Sequence, residues 1–362
     1  MTELAVTAPA TSGTRTYLTH ALPWWRRNVL THEAMIIVAL VAVSIVAAAS
    51  IPRFATPLTL SYLLLDATPI LLCALPVTLI LVSGEIDLSI ASAVGFSNVV
   101  IGWLFAQGVP IHWAILAGVV SGLLVGLVNG FLVAVLQLPS LAVTIGTLAL
   151  FRGISIGILG TDSITSFPVD LKALANANLP GTGFPLVMFP VLVAIVLFAV
   201  VLHFTPFGRS VYATGQGIDT ARFSGVRTVR VKFTLFLLSG LLAGLVGVFY
   251  TFRYGSARGD NAAGLELAVI AGVVLGGVSI FGGRGRIIGV VGGVLLIGLF
   301  QSVLRFLNNS SDVINIAVGG LLVVSVAVPL AFTAITQTVA RARRTASTPT
   351  RAEESHHRKG EK

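Results

Sequence analysis

Residues 60–83 read LSYLLLDATPILLCALPVTLILVS, a run of 24 residues with one charge, Asp66, and two prolines, Pro69 and Pro76. About 20 mostly apolar residues are enough for a helix to cross a bilayer, so this run reads as a membrane span. Working outward, nine further runs of the same character lie at roughly 34–51, 88–106, 113–136, 140–159, 184–203, 233–252, 265–281, 286–306 and 313–332. The composition agrees. Of 362 residues, 55% are hydrophobic and 10% charged, against about 25% charged in ordinary soluble domains. The expected fold is an all-α polytopic membrane protein with about ten transmembrane helices. Several runs are short or broken by Pro and Gly, as at Pro69 and Pro76, and irregular backbone at membrane depth survives only where protein or a water-filled cavity covers it.

Charge orients the chain. Of the 23 Lys and Arg residues, all but Arg53, Arg152, Lys172, Arg253, Arg258 and Arg305 fall on the side of the two termini when ten spans are threaded. The positive-inside rule then places both termini in the cytoplasm. The net charge of +9 does not point to nucleic acid, because the basic residues are dispersed between apolar runs and form no basic domain. The first residues do not read as a cleavable signal, since no apolar core follows a charged start there. The organisation expected is a cytoplasmic tail at 1–33, a transmembrane domain at 34–332 with a cytoplasmic loop at 205–232, and a polar, disordered cytoplasmic tail at 333–362. The single cysteine, Cys73, sits in an apolar run and excludes an intrachain disulfide framework or a cysteine-built zinc site.

Five plus five helices would place two halves in opposite orientations, a common transporter device. Two pairs hint at it: Gly118–Gly122 (GVVSG) against Gly289–Gly293 (GVVGG), and Ile86–Leu88 (IDL) against Leu265–Leu267 (LEL). Each pair is five spans apart. A third match, Thr78–Gly84 against Thr234–Gly240, falls out of register, as chance matches between apolar runs do.

The most informative polar stretch is Phe207–Lys232, FGRSVYATGQGIDTARFSGVRTVRVK, with five basic residues and one acid. Gly215 and Gly217 break the chain before Asp219, which is placed to cap a short helix over Thr220–Ser224 ended by Gly225. Phe223 and Val226 would be its apolar contacts. One reading is a basic loop held to anionic lipid; the other is a helix that docks into a groove of a cytosolic partner.

The run 212–225 resembles the cytoplasmic loop of the ribose-type permeases of ATP-binding cassette importers. Residues 83–92, SGEIDLSIAS, are similar to that family's GGIDLSVGS signature, and 274–285, VLGGVSIFGGRG, resemble a third family block. The three fall in family order, and the resemblance covers about residues 35–333. Glu85 stands where the family often has Gly, Ala91 where it often has Gly and Gly217 where it often has Asn. The resemblance implies a membrane channel for a monosaccharide or related polyol, needing no cofactor, in the cytoplasmic membrane of a bacterium. Its implied partners are a second permease subunit, identical or homologous, a cytosolic ATPase dimer and an extracytoplasmic solute-binding protein. It also implies that Asp219, Thr220, Ala221, Arg222, Phe223, Ser224 and Gly225 couple the chain to the ATPase.

The residues agree with that division of labour. No GxxxxGK[ST] phosphate loop is present, so ATP hydrolysis would belong to another polypeptide. Gly282–Gly285 reads as a tight turn. No catalytic set or metal-ligand spacing is evident, which argues against a membrane-embedded enzyme. Ionisable and amide residues within spans are costly and often functional, so Asp66, Glu85, Asp87, Asn129 and Gln301 are candidates to line a solute path. Four of them have a plainer role: Asp66 as the partner of Arg53 or another outer base, Asp87 with Ser89 as a helix cap at the inner surface, Asn129 and Gln301 as bonds between helices. Arg152 lies near a helix end and snorkels. An ion-coupled secondary transporter is the competing reading, but it would bury an acid or proton relay deep in the bundle.

Overall fold

The computed structural model describes residues 32–325 and 327. In chain order the helices are α1 (His32–Ser50), α2 (Pro57–Val82), α3 (Ile90–Ala106), α4 (Ile111–Gly130), α5 (Ser140–Leu159), α6 (Val169–Ala175), α7 (Met188–Phe204), α8 (Pro206–Gln216), α9 (Ile218–Phe223), α10 (Thr228–Tyr254), α11 (Leu265–Leu275), α12 (Ile287–Phe306) and α13 (Ser311–Ser325). A π-helical turn, Phe131–Val135, extends α4. Among the described residues pairing of the β type is limited to two isolated bridges, Ile164 with Ala257 and Asn178 with Pro185.

Each of the ten expected apolar runs overlaps a helix, the last of them within the described residues as far as Ser325. Six of these (α1, α2, α4 with its π-turn, α5, α10, α12) are long and apolar enough to cross a membrane, and α7 with α8, bent by 68°, makes a seventh if the two count as one. The helices α3, α11 and α13 are apolar but shorter. The expected tails at 1–33, apart from His32 and Glu33, and at 333–362 lie outside the described residues.

Helix α2 sits at the centre, buried on nearly every side. Thr56 caps it by accepting from the Thr59 amide at 3.2 Å, and Pro57 opens its first turn. The expected breaks at Pro69 and Pro76 are absent, and α2 runs through both. Neighbouring helices enclose a proline-bearing helix here, the setting in which such residues are tolerated. Helix α10 runs antiparallel to α2: Lys232 near its start pairs with Glu85 just past the end of α2, and Arg253 near its end pairs with Asp66 in the first half of α2.

Glycine permits the closest packing. A Cβ on Gly122 of α4 would lie 2.5 Å from the Gly244 Cα of α10, and one on Gly276 would lie 2.6 Å from the Val290 Cα of α12. Without a hydrophobic force between helices in lipid, such backbone approach supplies the association. Large side chains of α5 and α7, among them Ile145, Leu150, Val193 and Leu197, point outward, as surfaces facing acyl chains do. Inside, Asn98 of α3 fastens the loop after α10. Its Nδ2 donates to Thr251 Oγ1 (2.8 Å) and the Ser256 carbonyl (3.1 Å), while its Oδ1 accepts from Asn261 Nδ2 (2.9 Å) and the Arg258 amide (3.3 Å).

Candidate functional site

Three stretches far apart in sequence, 83–92, 212–225 and 274–285, meet at one end of the bundle, here the α9 end. The Val82 carbonyl accepts from the Gly283 amide at 2.8 Å. Gly215 is wedged between them: a Cβ there would overlap the Val82 carbonyl oxygen and lie 2.6 Å from the Gly283 nitrogen. Gly84 and Gly282 have φ of +85° and +84°, backbone that side chains with a Cβ rarely adopt. A Cβ on Gly282 would lie 2.9 Å from both the Gly215 carbonyl oxygen and the Gly84 Cα. Tyr212 of α8 completes the junction by donating from its hydroxyl to the Gly285 carbonyl at 2.6 Å. Burial pushes the Tyr212 phenol up, against the opposing pull of Arg286, and keeps it a donor. The expected tight turn at Gly282–Gly285 is therefore one face of a three-way backbone interlock.

The bend from α7 into α8 follows from Thr205, which accepts from the Gly208 amide at 3.2 Å, and from Pro206 at the first helical position. The sequence reading had no helix over 206–216. It expected Asp219 to cap the next helix; instead Gly217 occupies the cap position, no side chain caps the helix, and Asp219 lies in its first turn. An acid there still complements the helix dipole. Thr220, Ala221 and Arg222 continue α9, Ser224 ends it, and Gly225 turns the chain at φ +82°. Ala221 is buried, whereas Phe223 is 93% exposed; the expected inward contact is left to Val226 alone, which packs on the core. Arg222 Nε donates to Thr228 Oγ1 at 3.2 Å and so fastens α9 to the start of α10.

Beside α9 lies a cavity of about 400 Å³ whose lining includes Glu85, Gln137, Asp219, Arg222 and Lys232. Glu85 and Lys232 form an ion pair in its wall. Two residues on, Asp87 is 2% exposed. Its Oδ1 accepts from the Ser89 amide (2.9 Å) and hydroxyl (2.6 Å), and its Oδ2 from Ser239 Oγ (2.6 Å). Asn129 Nδ2 donates to Ser89 Oγ at 2.7 Å, and Asn129 Oδ1 has no partner among the described residues. Asp87 therefore does serve the start of α3, but not at a surface. Ser239 stands eleven residues into α10, about 16 Å along its axis at 1.5 Å per residue.

Asp66 lies at the opposite end, between Arg253 (3.2 Å) and Arg305. Arg253 also donates to Asn176 Oδ1 at 2.6 Å. Asp66, Arg305, Tyr62 and Ser302 border a second cavity of about 350 Å³. Asp66 thus pairs with bases other than Arg53. Gln301, half-buried on α12, borders neither cavity. The five candidate path residues fall in separate places: Asp66 at one end, Glu85 at the other, Asp87 and Asn129 joined through Ser89 between them, Gln301 apart. Arg152 does not reach for solvent but faces Glu266 of α11 at 3.8 Å. Lys232 and Ser239 were not singled out in sequence; their partners lie some 150 residues away, beyond any local spacing. Among the described residues no group of three or more His, Cys, Asp or Glu could hold a metal.

A family model described as "Branched-chain amino acid transport system / permease component" matches residues 59–327. The chain belongs to this permease family. The autoinducer 2 import system permease protein LsrD of Escherichia coli (strain K12) and that of Shigella flexneri are each 35% identical to it over 295 residues, covering 80% of this chain and 89% of theirs. The Escherichia coli O157:H7 protein of the same name is 35% identical over 259 residues, 70% of this chain and 78% of its own. No solved structure matches it at a comparable level. The permease is a multi-pass protein of the bacterial inner membrane and a subunit of an ATP-binding cassette importer. It is not itself an enzyme: a separate subunit hydrolyses ATP, and a binding protein delivers the solute.

Proposed function

We propose that this permease forms the path for a small polyhydroxylated solute of the monosaccharide type, and that the loop at 205–232 faces the cytoplasm and receives the ATPase dimer through Asp219–Gly225. The observation that carries this reading is α9 itself: an exposed Phe223 on a helix that follows directly on α8, whose Gly215 belongs to a glycine interlock reaching the end of α2 and the turn before α12. Phe223 would enter a groove of the partner, the helix-in-groove mode of recognition, and the interlock would pass the movement on.

The same reading takes all ten apolar helices as spans, with both termini cytoplasmic, consistent with the charge distribution. It relates the chain's halves as inverted repeats of five. In support, Gly118 and Gly289, paired in the sequence comparison, pack against α3 and against the end of α11 respectively. A second permease subunit, identical or homologous, completes the path. Asp66 and Gln301 would serve it towards the periplasm and Glu85 towards the cytoplasm, while Asp87 and Asn129 hold the segment between. The name of the LsrD relatives favours autoinducer 2 or a similar hydroxylated molecule over a branched-chain amino acid.

Two experiments test this. The cognate binding protein is titrated with autoinducer 2, ribose and leucine; tight binding of leucine alone removes the polyol reading. In proteoliposomes holding the whole importer, replacing Asp219–Gly225 with a Gly-Ser linker is expected to abolish solute-stimulated ATP hydrolysis while the chain still inserts. Unchanged stimulation would remove α9 as the docking element.

A further inference from the structure

The loop from Ser83 to Ser89 joins α2 to α3 and touches much of the bundle at the α9 end. It is held to α10 at two points, Glu85 to Lys232 and Asp87 to Ser239. Positions 232 and 239 are seven residues apart and so share one face of α10. The loop is also held to α5, where Ser140 Oγ accepts from the Ile86 amide at 3.1 Å and Thr144 Oγ1 donates to the Ile86 carbonyl at 3.2 Å.

The two points on α10 differ in kind. Asp87 is enclosed, with both oxygens satisfied by hydroxyls and an amide. Glu85 and Lys232 are instead in the wall of the cavity that Ile218, Asp219 and Arg222 of α9 also line, and their side chains are 12% and 13% exposed. An ion pair reached by water through a cavity separates far more readily than one sealed in packing. Lys232 stands four residues after Thr228, the residue that Arg222 of α9 grips. A shift of α9 therefore bears first on the opening turns of α10 and on this pair.

We propose that Glu85 and Lys232 are a positioning pair for coupling: closed, they latch the 83–89 loop to α10 in the resting importer; opened by movement of α9, they free the loop and the start of α3 while Asp87–Ser239 stays as the pivot. The direction of the movement rests on the docking role proposed for α9; the latch rests on the pair and the cavity.

The test uses the assembled importer, with this chain, its ATPase and its binding protein in proteoliposomes, and autoinducer 2 as the probe solute. Basal ATP hydrolysis, which requires no solute, is the first readout. Glu85→Gln and Lys232→Met are each expected to raise it about fivefold, the change that loss of one weak restraint brings, and to lower solute carried per ATP. The exchange Glu85→Lys with Lys232→Glu, which rebuilds the pair with its charges reversed, is expected to return both readouts towards the parent. A merely structural contact would leave basal hydrolysis at or below the parent's. Parent-like basal hydrolysis in the single variants, or a double variant no better than either single, overturns the latch. Co-purification of the ATPase checks assembly. Should a single variant fail to assemble, Lys232→Arg against the charge exchange makes the same comparison, with parent-like coupling expected in both and loss of coupling in the exchange overturning the proposal. The Gly-Ser linker variant separates the two ideas, because unchanged stimulated hydrolysis in it removes the α9 reading and leaves the basal comparison of the pair standing.

Discussion

The two ends of the bundle are fastened by different chemistry. At the α9 end three segments meet backbone to backbone, around Gly84, Gly215 and Gly282. At the opposite end charged side chains do the work: Asp66 between Arg253 and Arg305, with Asn176 holding Arg253 in place. A backbone interlock has no long side chain to absorb a displacement, so movement of one segment moves the others. A cluster of long ionic side chains yields, re-forms and responds to salt. The first arrangement suits the transmission of force and the second a mouth that opens to solvent.

Replacing Gly215 should separate the two ends most sharply. In Gly215→Val the added atoms have only the Val82 carbonyl and the Gly283 amide to displace, and overpacking of this kind costs about 3 kcal/mol or more. Cys73, the single cysteine and fully buried, reports the outcome: heating in detergent with a thiol-reactive dye should unmask it at a clearly lower temperature than in the parent. A parent-like unmasking temperature would mean that the interlock is looser than its geometry indicates.

A smaller loss is expected from Asp66→Asn. It leaves Arg253 and Arg305 facing each other without the carboxylate, and about 2 kcal/mol is expected, below the figure for a fully buried pair because the side chains are partly exposed. The salt dependence sharpens the contrast. The screening length falls from about 10 Å at 0.1 M salt to about 3 Å at 1 M, so the gap between parent and Asp66→Asn should narrow at high salt, while that between parent and Gly215→Val should not. Equal salt sensitivity in both would erase the distinction between the ends.

Much of this contrast was hidden in the sequence for physical reasons. The apolar runs were legible because bilayer thickness imposes a length on each, and each met a helix. The boundaries of α3 and α11 were less so: α3 starts at Ile90, after the loop pinned by Asp87, and α11 starts at Leu265 as its run suggests but ends at Leu275, short of 281. The bend at Thr205–Pro206 and the helix after it went unseen because 206–216 is not apolar, although Thr205 at the cap and Pro206 at the first helical position are start signals legible in the sequence. The three glycine-bearing blocks were visible singly, through their resemblance to a family. Their meeting in space was not, because backbone contact leaves no pattern of side-chain types. Glu85 and Lys232 were both noticed as charges, one as a candidate for the path and one as part of a basic loop; only the antiparallel run of α2 and α10 makes them a pair.

The smallest effect is expected at the surface of the loop after α10. Arg258 holds Asp260 through two bonds of 2.9 Å, yet both side chains are more than half exposed. Those bonds from the Arg258 guanidinium hold the Asp260 carboxyl below its ordinary value of 3.8. A depressed carboxylate adds stability above its unfolded value and loses it as pH falls through the folded one, so the pair contributes at neutral pH and fades in acid below pH 3.8. Arg258→Ala should cost no more than about 0.5 kcal/mol at pH 7, as exposed pairs do, and progressively less as pH falls below 3.8. The amide of Arg258, which donates to Asn98 Oδ1, is untouched by that change. Asn98→Ala, which removes the α3 side chain that fastens the same loop, should therefore cost several times more, with little dependence on pH. If the two variants were equal at pH 7, the loop would be held by its exposed ion pair and not by the buried asparagine.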